Sequence, residues 1–531
     1  MARSPRFTRL LRTLRLSTAF TRRGVSTAEG IERHEAARFS RRQALVGLGL
    51  GAGAAACASV PSAPQVPARA GGASAGRVVV VGAGLAGCVA AWRLHRAGVA
   101  VELFDASGRV GGRALSVRDQ LPGRCELGGE FVDSDHRATR ELVGALGLSL
   151  VDLADGADDL ERERYFLGGV PYREREVLEM FRPVAGLIVR DLGRIGEGPV
   201  SYRRHTPAAE SLDALSTAGW MDRNGVRGPL RALLDASFTS EFGLDPGQQS
   251  ALSFLSVIGH DPATLRLYGD RDGRFAVREG SDAIARALVQ PLGPRLVLDH
   301  ALVAVQSEAT GGFTLTFDRG GSAVTRRADR VILALPFNQL RRCSMRVELP
   351  RAKRRAIEEL PYGTNTKVLI TTRNRPWREA GSTGTSFSDG GVYHQGWEST
   401  RGSAGHDAVM TAFSGGSLGV QAGSSNPEAQ GRRFADALDL VYPGVAEAYL
   451  QRAVRMHWPS ARWFDGSYAC YGPGDWCTLA GAEGEAVGAL HFAGEHTSPR
   501  SPGTLNGAVE SGQRAADEVC AALGLRPPAL G

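Results

Sequence analysis

Arg77-Val78-Val79-Val80-Val81-Gly82-Ala83-Gly84-Leu85-Ala86-Gly87 is the stretch whose reading decides the fold. Four consecutive valines make a short β-branched apolar run, which suits a strand buried on both faces. The glycines follow at once, and residues 88–97 then read as an amphipathic helix. Strand, glycine turn and helix in that order is the setting of a dinucleotide-binding fingerprint. Gly82 permits the tight turn, Gly84 admits a pyrophosphate close to the backbone, and Gly87 lets helix and strand pack closely. Ala83 lies inside the same turn, and the helix N-terminus presents free N–H groups to phosphate. A plain glycine turn is the alternative in a chain with 68 glycines; the flanking strand and helix weigh against it.

Gly98 closes the helix, and residues 99–104 read as a second strand ending at Asp105. An acid about 20 residues past the glycines accepts hydrogen bonds from ribose hydroxyls. Asp105 and Ala106 therefore join the cofactor-binding candidates. Arg109-Val110-Gly111-Gly112-Arg113 follows, and then Glu126-Leu127-Gly128-Gly129-Glu130-Phe131. With these segments the chain resembles the flavin-containing amine oxidase family: monoamine, polyamine and L-amino-acid oxidases. The resemblance implies that Arg109, Gly112 and Arg113 approach the phosphates of FAD, and that Gly128, Gly129 and Glu130 pass its isoalloxazine ring. Glycines allow backbone contact, and arginines neutralise a diphosphate.

The 531-residue chain carries a formal net charge of +7. Residues 1–76 hold 12 arginines and 3 acids, while the remainder has 51 basic and 53 acidic residues. The basic balance belongs to the leader and is no argument for nucleic-acid binding. Within the leader, Ser40-Arg41-Arg42-Gln43-Ala44-Leu45 matches a twin-arginine (Tat) export signal. Residues 46–56 are apolar but too few to span a membrane. We expect a signal region over residues 1–58, a linker over 59–76, passage through the Tat translocon, and a periplasmic or extracellular destination. Cys57 follows Ala54-Ala55-Ala56 and is a candidate lipid anchor, although the usual leucine is missing. The seven cysteines show neither metal-ligand spacing nor a small disulfide framework.

Residues 137–275 read as mainly helical, the start of a substrate domain. A helix capped by Ser281 or Asp282 is expected over 280–288, and strands over 296–298, 301–305 and 329–336. The resemblance puts the backbone of Val303 beside the adenine. Next comes Tyr362-Gly363-Thr364-Asn365-Thr366-Lys367-Val368-Leu369-Ile370; in the amine oxidases a lysine at this position binds a water at flavin N5. Composition adds a hint, because the chain has 2 lysines and 61 arginines. A lysine kept in an apolar strand points to a need for a compact amine, which the planar fork of arginine cannot supply. A snorkelling strand lysine is the plainer alternative.

Trp458 opens a segment running to Tyr468. The resemblance makes Trp458 a cofactor contact and Tyr468 a wall of the substrate cage. Where monoamine oxidases carry the cysteine bonded to FAD, this chain has Ser467, so non-covalent FAD is expected; Cys470 would matter only in a shifted alignment. The most specific match is His491-Phe492-Ala493-Gly494-Glu495-His496-Thr497-Ser498 with Pro502-Gly503-Thr504-Leu505-Asn506-Gly507. It implies cofactor contacts from Gly494, Glu495, Gly503, Thr504 and Leu505. Thr504 falls where the second cage aromatic would stand.

The expected fold is therefore α/β: a Rossmann-like FAD-binding domain (77–132, 276–344, 456–522) with an inserted mixed α+β substrate-binding domain (133–275, 345–455) and a tail over 523–531. The implied activity is oxidation of a small-molecule amine, with hydride transfer to the flavin, an imine that hydrolyses to a carbonyl compound, and hydrogen peroxide from molecular oxygen. Lys367 and Tyr468 are the catalytic candidates; Glu130, Asp133 and Thr504 are the substrate candidates. Amino-acid oxidases hold the substrate carboxylate with an arginine, but here Glu130-Phe131-Val132-Asp133 follows the second Gly-Gly, favouring a cationic amine. An L-amino-acid oxidase, an isoprenoid or porphyrin desaturase, and an exported flavin-binding protein without activity are the alternatives. For export, replacing Arg41 and Arg42 by lysines should hold the protein in the cytoplasm; undiminished export in cell fractionation would remove the twin-arginine reading.

Overall fold

The computed structural model describes residues 76–157, 159–257, 272–403 and 405–529. The export signal, Cys57 and the linker up to residue 75 lie outside them. Val78–Val81 is the centre of a five-stranded parallel sheet, in the order Leu296–Val297, Val101–Phe104, Val78–Val81, Arg330–Leu333, Leu490–Phe492. Each of the four valines is at most 1% exposed, which is why the run shows no polar alternation. Val78 and Val80 face a core shared with the Leu85–Arg96 and Leu505–Ala522 helices. Val79 and Val81 face the other way, toward Phe317, Phe337 and Ile357.

Several expected boundaries move. The first helix starts at Leu85, directly after Gly84, and not at Cys88. The Ser281–Val289 helix has Gly280, at φ 100°, as its N-cap, and neither Ser281 nor Asp282 caps it. The Arg137–Ala145 helix, expected in the substrate domain, buries Leu142 and Val143 in the dinucleotide-domain core. The Arg351–Glu359 helix likewise packs Ala356 and Ile357 against that domain. Conversely, the substrate-domain strand Tyr449–His457 carries Met456 and His457 past the boundary expected after residue 455. Apolar periodicity marks which face is buried and cannot say against what.

The substrate domain is built on a seven-stranded sheet in the order Tyr449–His457, Thr366–Thr372, Ala408–Ser414, Gln395–Glu398, Ser386–Ser388, Arg164–Leu167, Val170–Tyr172. The stretch read as helical does carry the Glu174–Ile195 and Gly228–Phe242 helices, but it also gives two strands to this sheet. Thr366–Thr372 is buried at every position, flanked on both sides. Lys367, Phe413 and Gln395 stand opposite one another across three strands and so share one face.

The Leu505–Ala522 helix lies so close to the first helix that a Cβ on Gly512 would come within 2.3 Å of the Ala86 carbonyl oxygen. Gly512→Ala should therefore lower stability by about 1–3 kcal/mol. Gly193→Ala, in a helix where a Cβ meets nothing within 4 Å, should raise it by up to about 1 kcal/mol. Equal unfolding midpoints for the two variants would contradict the close helix contact.

Candidate active site

The glycine turn sits at the C-terminal ends of the parallel strands, where open α/β sheets bind ligands. Gly82 has φ 105°, and a Cβ on Gly87 would lie 1.8 Å from the Gly82 oxygen. Gly84 is different: a Cβ there would meet only the Gly112 Cα, at 4.0 Å, so its outer side is open to a ligand. The Arg109–Arg113 loop is fixed to this turn through the Gly111 N–H, which donates to the Ala83 oxygen at 2.8 Å.

Asp105 binds the turn as well. Its Oδ2 accepts from the Ala83 N–H at 2.6 Å, and its Oδ1 accepts from the Ser107 N–H and hydroxyl at 2.7 and 2.6 Å. The acid expected at a ribose thus also ties the second strand to the fingerprint. Burial raises its pKa against the opposing pull of Ser107 and Ala83. Ala106 beside it is half-buried. Arg109 donates to the Gly112 oxygen at 2.7 Å and braces its own loop.

Arg113 reaches across the chain. Its NH1 donates to the Ser467 carbonyl and to Glu495 Oε1, the latter at 2.9 Å. Glu495 Oε1 also accepts from the Ala469 N–H at 3.2 Å, and Oε2 accepts from the Gly503 N–H at 2.8 Å. One carboxylate therefore joins the arginine loop, the Ser467–Ala469 segment and the entry to the last helix. Burial alone would push Glu495 up; Arg113, His496 and the Gly503 N–H outweigh it and hold the carboxyl below its ordinary range. Gly494 leads into it with φ 135°. Thr504 caps the Leu505–Ala522 helix: its hydroxyl accepts from the Gly507 N–H at 2.9 Å and donates to the Ser501 oxygen at 2.8 Å. That hydroxyl, expected as a substrate contact, is engaged at the helix end in this structure.

Lys367 is 3% exposed, and its ammonium finds three acceptors in one short segment. It donates to the Glu126 and Gly128 carbonyls at 3.1 and 3.0 Å and to Glu130 Oε2 at 2.8 Å. Trp397 lies beside it, 5.3 Å from Nζ to ring centroid, and donates from Nε1 to Glu130 Oε1 at 3.1 Å. Glu130 is thus the charged partner of the Lys367 ammonium. Gly128 makes the contact possible, since a Cβ there would sit 1.9 Å from the Arg113 oxygen. Gly129 donates to the same oxygen at 3.0 Å.

Glu130 and Asp133 were expected as anions for a cationic substrate. Both oxygens of Glu130 are engaged as described, while Asp133 accepts from the Gly273 N–H at 2.6 Å and lies 3.1 Å from His136. Both carboxylates thus have protein partners in this structure. Tyr468 is 4% exposed, packs with Trp458, and donates to the Ser240 carbonyl at 2.8 Å. A Cβ on Gly503 would touch its ring at 3.7 Å. The Ser467 hydroxyl donates to Asn365 Oδ1 at 2.5 Å. Cys470 is packed instead among the helices of the substrate domain. Val303 is 40% exposed and is skipped where the register shifts between Leu302 and Ala304. Such a bulge leaves backbone groups out of the ladder.

Sequence reading missed Trp397 and Ser240. They meet Glu130 and Tyr468 across 267 and 228 residues, with no local pattern to mark them. The residues present fit a flavin dinucleotide: Gly84 is open on its ligand side, and the buried Trp458 Nε1 has no hydrogen-bond partner among the described residues.

Fold and site together define a dinucleotide-binding α/β protein with a second sheet that meets the first domain through Lys367. The chain belongs to the flavin-containing amine oxidoreductase family, whose model matches residues 85–520, and is an FAD-dependent amine oxidoreductase. It is 26% identical to pig flavin-containing amine oxidase B over 466 residues, covering 85% of this chain and 87% of that one. Its fold is similar to putrescine oxidase bound to putrescine (TM-score 0.73, 22% identity, 84% of this chain, 99% of that chain). It is also similar to cyclohexylamine oxidase from Brevibacterium oxydans IH-35A (TM-score 0.74, 22% identity, 85% of this chain, 99% of that chain).

Glu495→Gln should leave Arg113 short of its buried partner and lower stability by about 3–5 kcal/mol, with loss of bound flavin. Because the Glu495 pKa is depressed in the folded state, this contribution is present above its unfolded value and lost as pH falls through the folded one. Unfolding midpoints across acid pH, with the flavin-to-protein ratio, check this; a variant equal to wild type on both counts would show the pair to be inessential.

Proposed function

We propose that this protein is an exported oxidase of amines that holds FAD non-covalently and releases a carbonyl compound, ammonia or an amine, and hydrogen peroxide. The observation that carries the reading is the buried Lys367 ammonium clamped on the Glu126–Glu130 turn, the segment that in this family passes the isoalloxazine ring. FAD bound there supplies the two-electron chemistry, accepting a hydride from the carbon that bears the amine and passing the electrons to oxygen. Gly84, Arg113 and Glu495 would hold the dinucleotide, and the unladdered backbone of Val303 would be available to its adenine. Lys367 keeps the Gly128 backbone in place and neutralises Glu130. The Leu505–Ala522 helix turns its positive end toward the site from Thr504, favouring negative charge there. Tyr468, held through Ser240, is a fixed wall for the substrate. With Glu130 and Asp133 engaged, neither is a free anion for an ammonium, which suits a substrate that reacts as the neutral amine. Ser467 at the cysteine position supports the non-covalent assignment; flavin left in an acid-precipitated pellet would refute it.

The test is anaerobic mixing with a panel of aliphatic and aromatic amines and amino acids, then reoxidation with peroxide detection. Lys367→Met should slow flavin reduction, reoxidation or both by about 10- to 1000-fold. The double variant Lys367→Met, Glu130→Gln removes the buried carboxylate left unpaired and should recover stability without recovering rate. Wild-type rates in the double variant would make Lys367 an element of the fold alone. No bleaching of the wild-type flavin by any amine would remove the oxidase reading.

A further inference from the structure

Glu398 stands on the opposite face of the substrate sheet from Lys367: it aligns with Met410 and Ile370, whereas Lys367 and Leu369 point the other way. Its carboxylate, 1% exposed, is crowded by donors. Oε1 accepts from Arg375 Nε at 2.9 Å and from Thr400 Oγ1 at 3.4 Å. Oε2 accepts from Trp377 Nε1 at 2.9 Å and has Arg378 Nε at 3.5 Å. Arg375 is further committed to the Gly405 and His406 carbonyls at 2.9 and 3.0 Å.

Arg401 joins this cluster, drawn by both Glu398 and Glu130 but in no ion pair among the described residues. Its NH2 makes only two long contacts, to the Thr383 carbonyl at 3.4 Å and to Thr385 Oγ1 at 3.5 Å. Its Nε is shut off from solvent and has no partner among the described residues. Burial lowers its pKa, and the nearby Arg378 lowers it further against the pull of Glu398. Among the described residues the Arg378 side chain, 28% exposed, has only the long approach to Glu398. Three guanidiniums thus share one saturated carboxylate, and two of them keep unfilled planar donors. A buried guanidinium left so is unfavourable unless an anion completes it, and its fork matches the spacing of two oxygens on one centre.

We propose that Arg401 and Arg378 form a binding site for a small oxyanion beside Glu398 on the substrate domain. The ligand carries either a carboxylate or a tetrahedral phosphate or sulfate group; both present paired oxygens to the fork. The site does not depend on the oxidase reading, and its test does not use turnover. Thermal unfolding of the holoprotein is followed during titration with sodium sulfate, phosphate or acetate, at ionic strength held constant with chloride. Wild type should show a saturable rise of roughly 2–4 °C with at least one of the three. A response to acetate alone assigns a carboxylate ligand; a response to sulfate and phosphate assigns a tetrahedral one. Arg401→Gln should abolish the rise. Arg378→Gln, at a more open position that leaves the fold intact, should weaken it at least tenfold in midpoint concentration and carries the test if Arg401→Gln does not fold. No saturable rise with any of the three anions, or the same rise in wild type and in every variant that folds, would overturn the proposal.

Discussion

The Lys367 ammonium joins the two domains at the place where they must agree. It extends from the substrate sheet and donates to three acceptors within residues 126–130 of the dinucleotide domain. An ammonium removed from water has to recover its hydrogen bonds inside the protein, or the charged form is strongly disfavoured. Glu130 supplies the countercharge, and Trp397 fixes the other oxygen of that carboxylate. The sheet, the Gly128–Gly129 turn and the indole are therefore set by one another through a buried charge pair.

Backbone proximity is the second constraint. Gly87, Gly128, Gly507 and Gly512 each have a carbonyl oxygen within 2.3 Å of where a Cβ would stand. They bring the first strand, the arginine loop and the last helix close enough for Arg113 and Glu495, 382 residues apart, to meet. This is why the specific motifs lie at the two ends of the chain: the ends fold into one domain around the dinucleotide, while the intervening residues build the wall facing it.

Arginine usage has a physical counterpart. The second lysine, Lys353, is as buried as Lys367, at 2% exposure. Its Nζ donates to the Glu483 carbonyl at 2.7 Å and stands 3.8 Å from the centroid of the Phe492 ring. Burial pulls the Lys353 pKa down to about 7. Both lysines therefore occupy enclosed sites where a compact ammonium meets its acceptors. Rarity of lysine thus marks enclosure; the neighbourhood of the Gly128 turn is what singles out Lys367.

The sequence by itself determined the parallel sheet, its glycine turn and the residues crowded around it, because these rest on local rules: β-branched runs, positive φ, and helices that approach only over glycine. It also determined that Lys367 lies in a buried strand. Only the tertiary structure decided what the charges do. Glu130 neutralises Lys367, Asp133 anchors Gly273 and lies beside His136, Thr504 caps a helix, and Asp105 also holds the turn. A carboxylate or hydroxyl in a sequence carries its chemistry but not its partner, and here the partners come from segments up to 267 residues away. Hydrogen-bonding capacity is a property of the residue, whereas its use is fixed by whichever strand or turn the packing brings within about 3 Å.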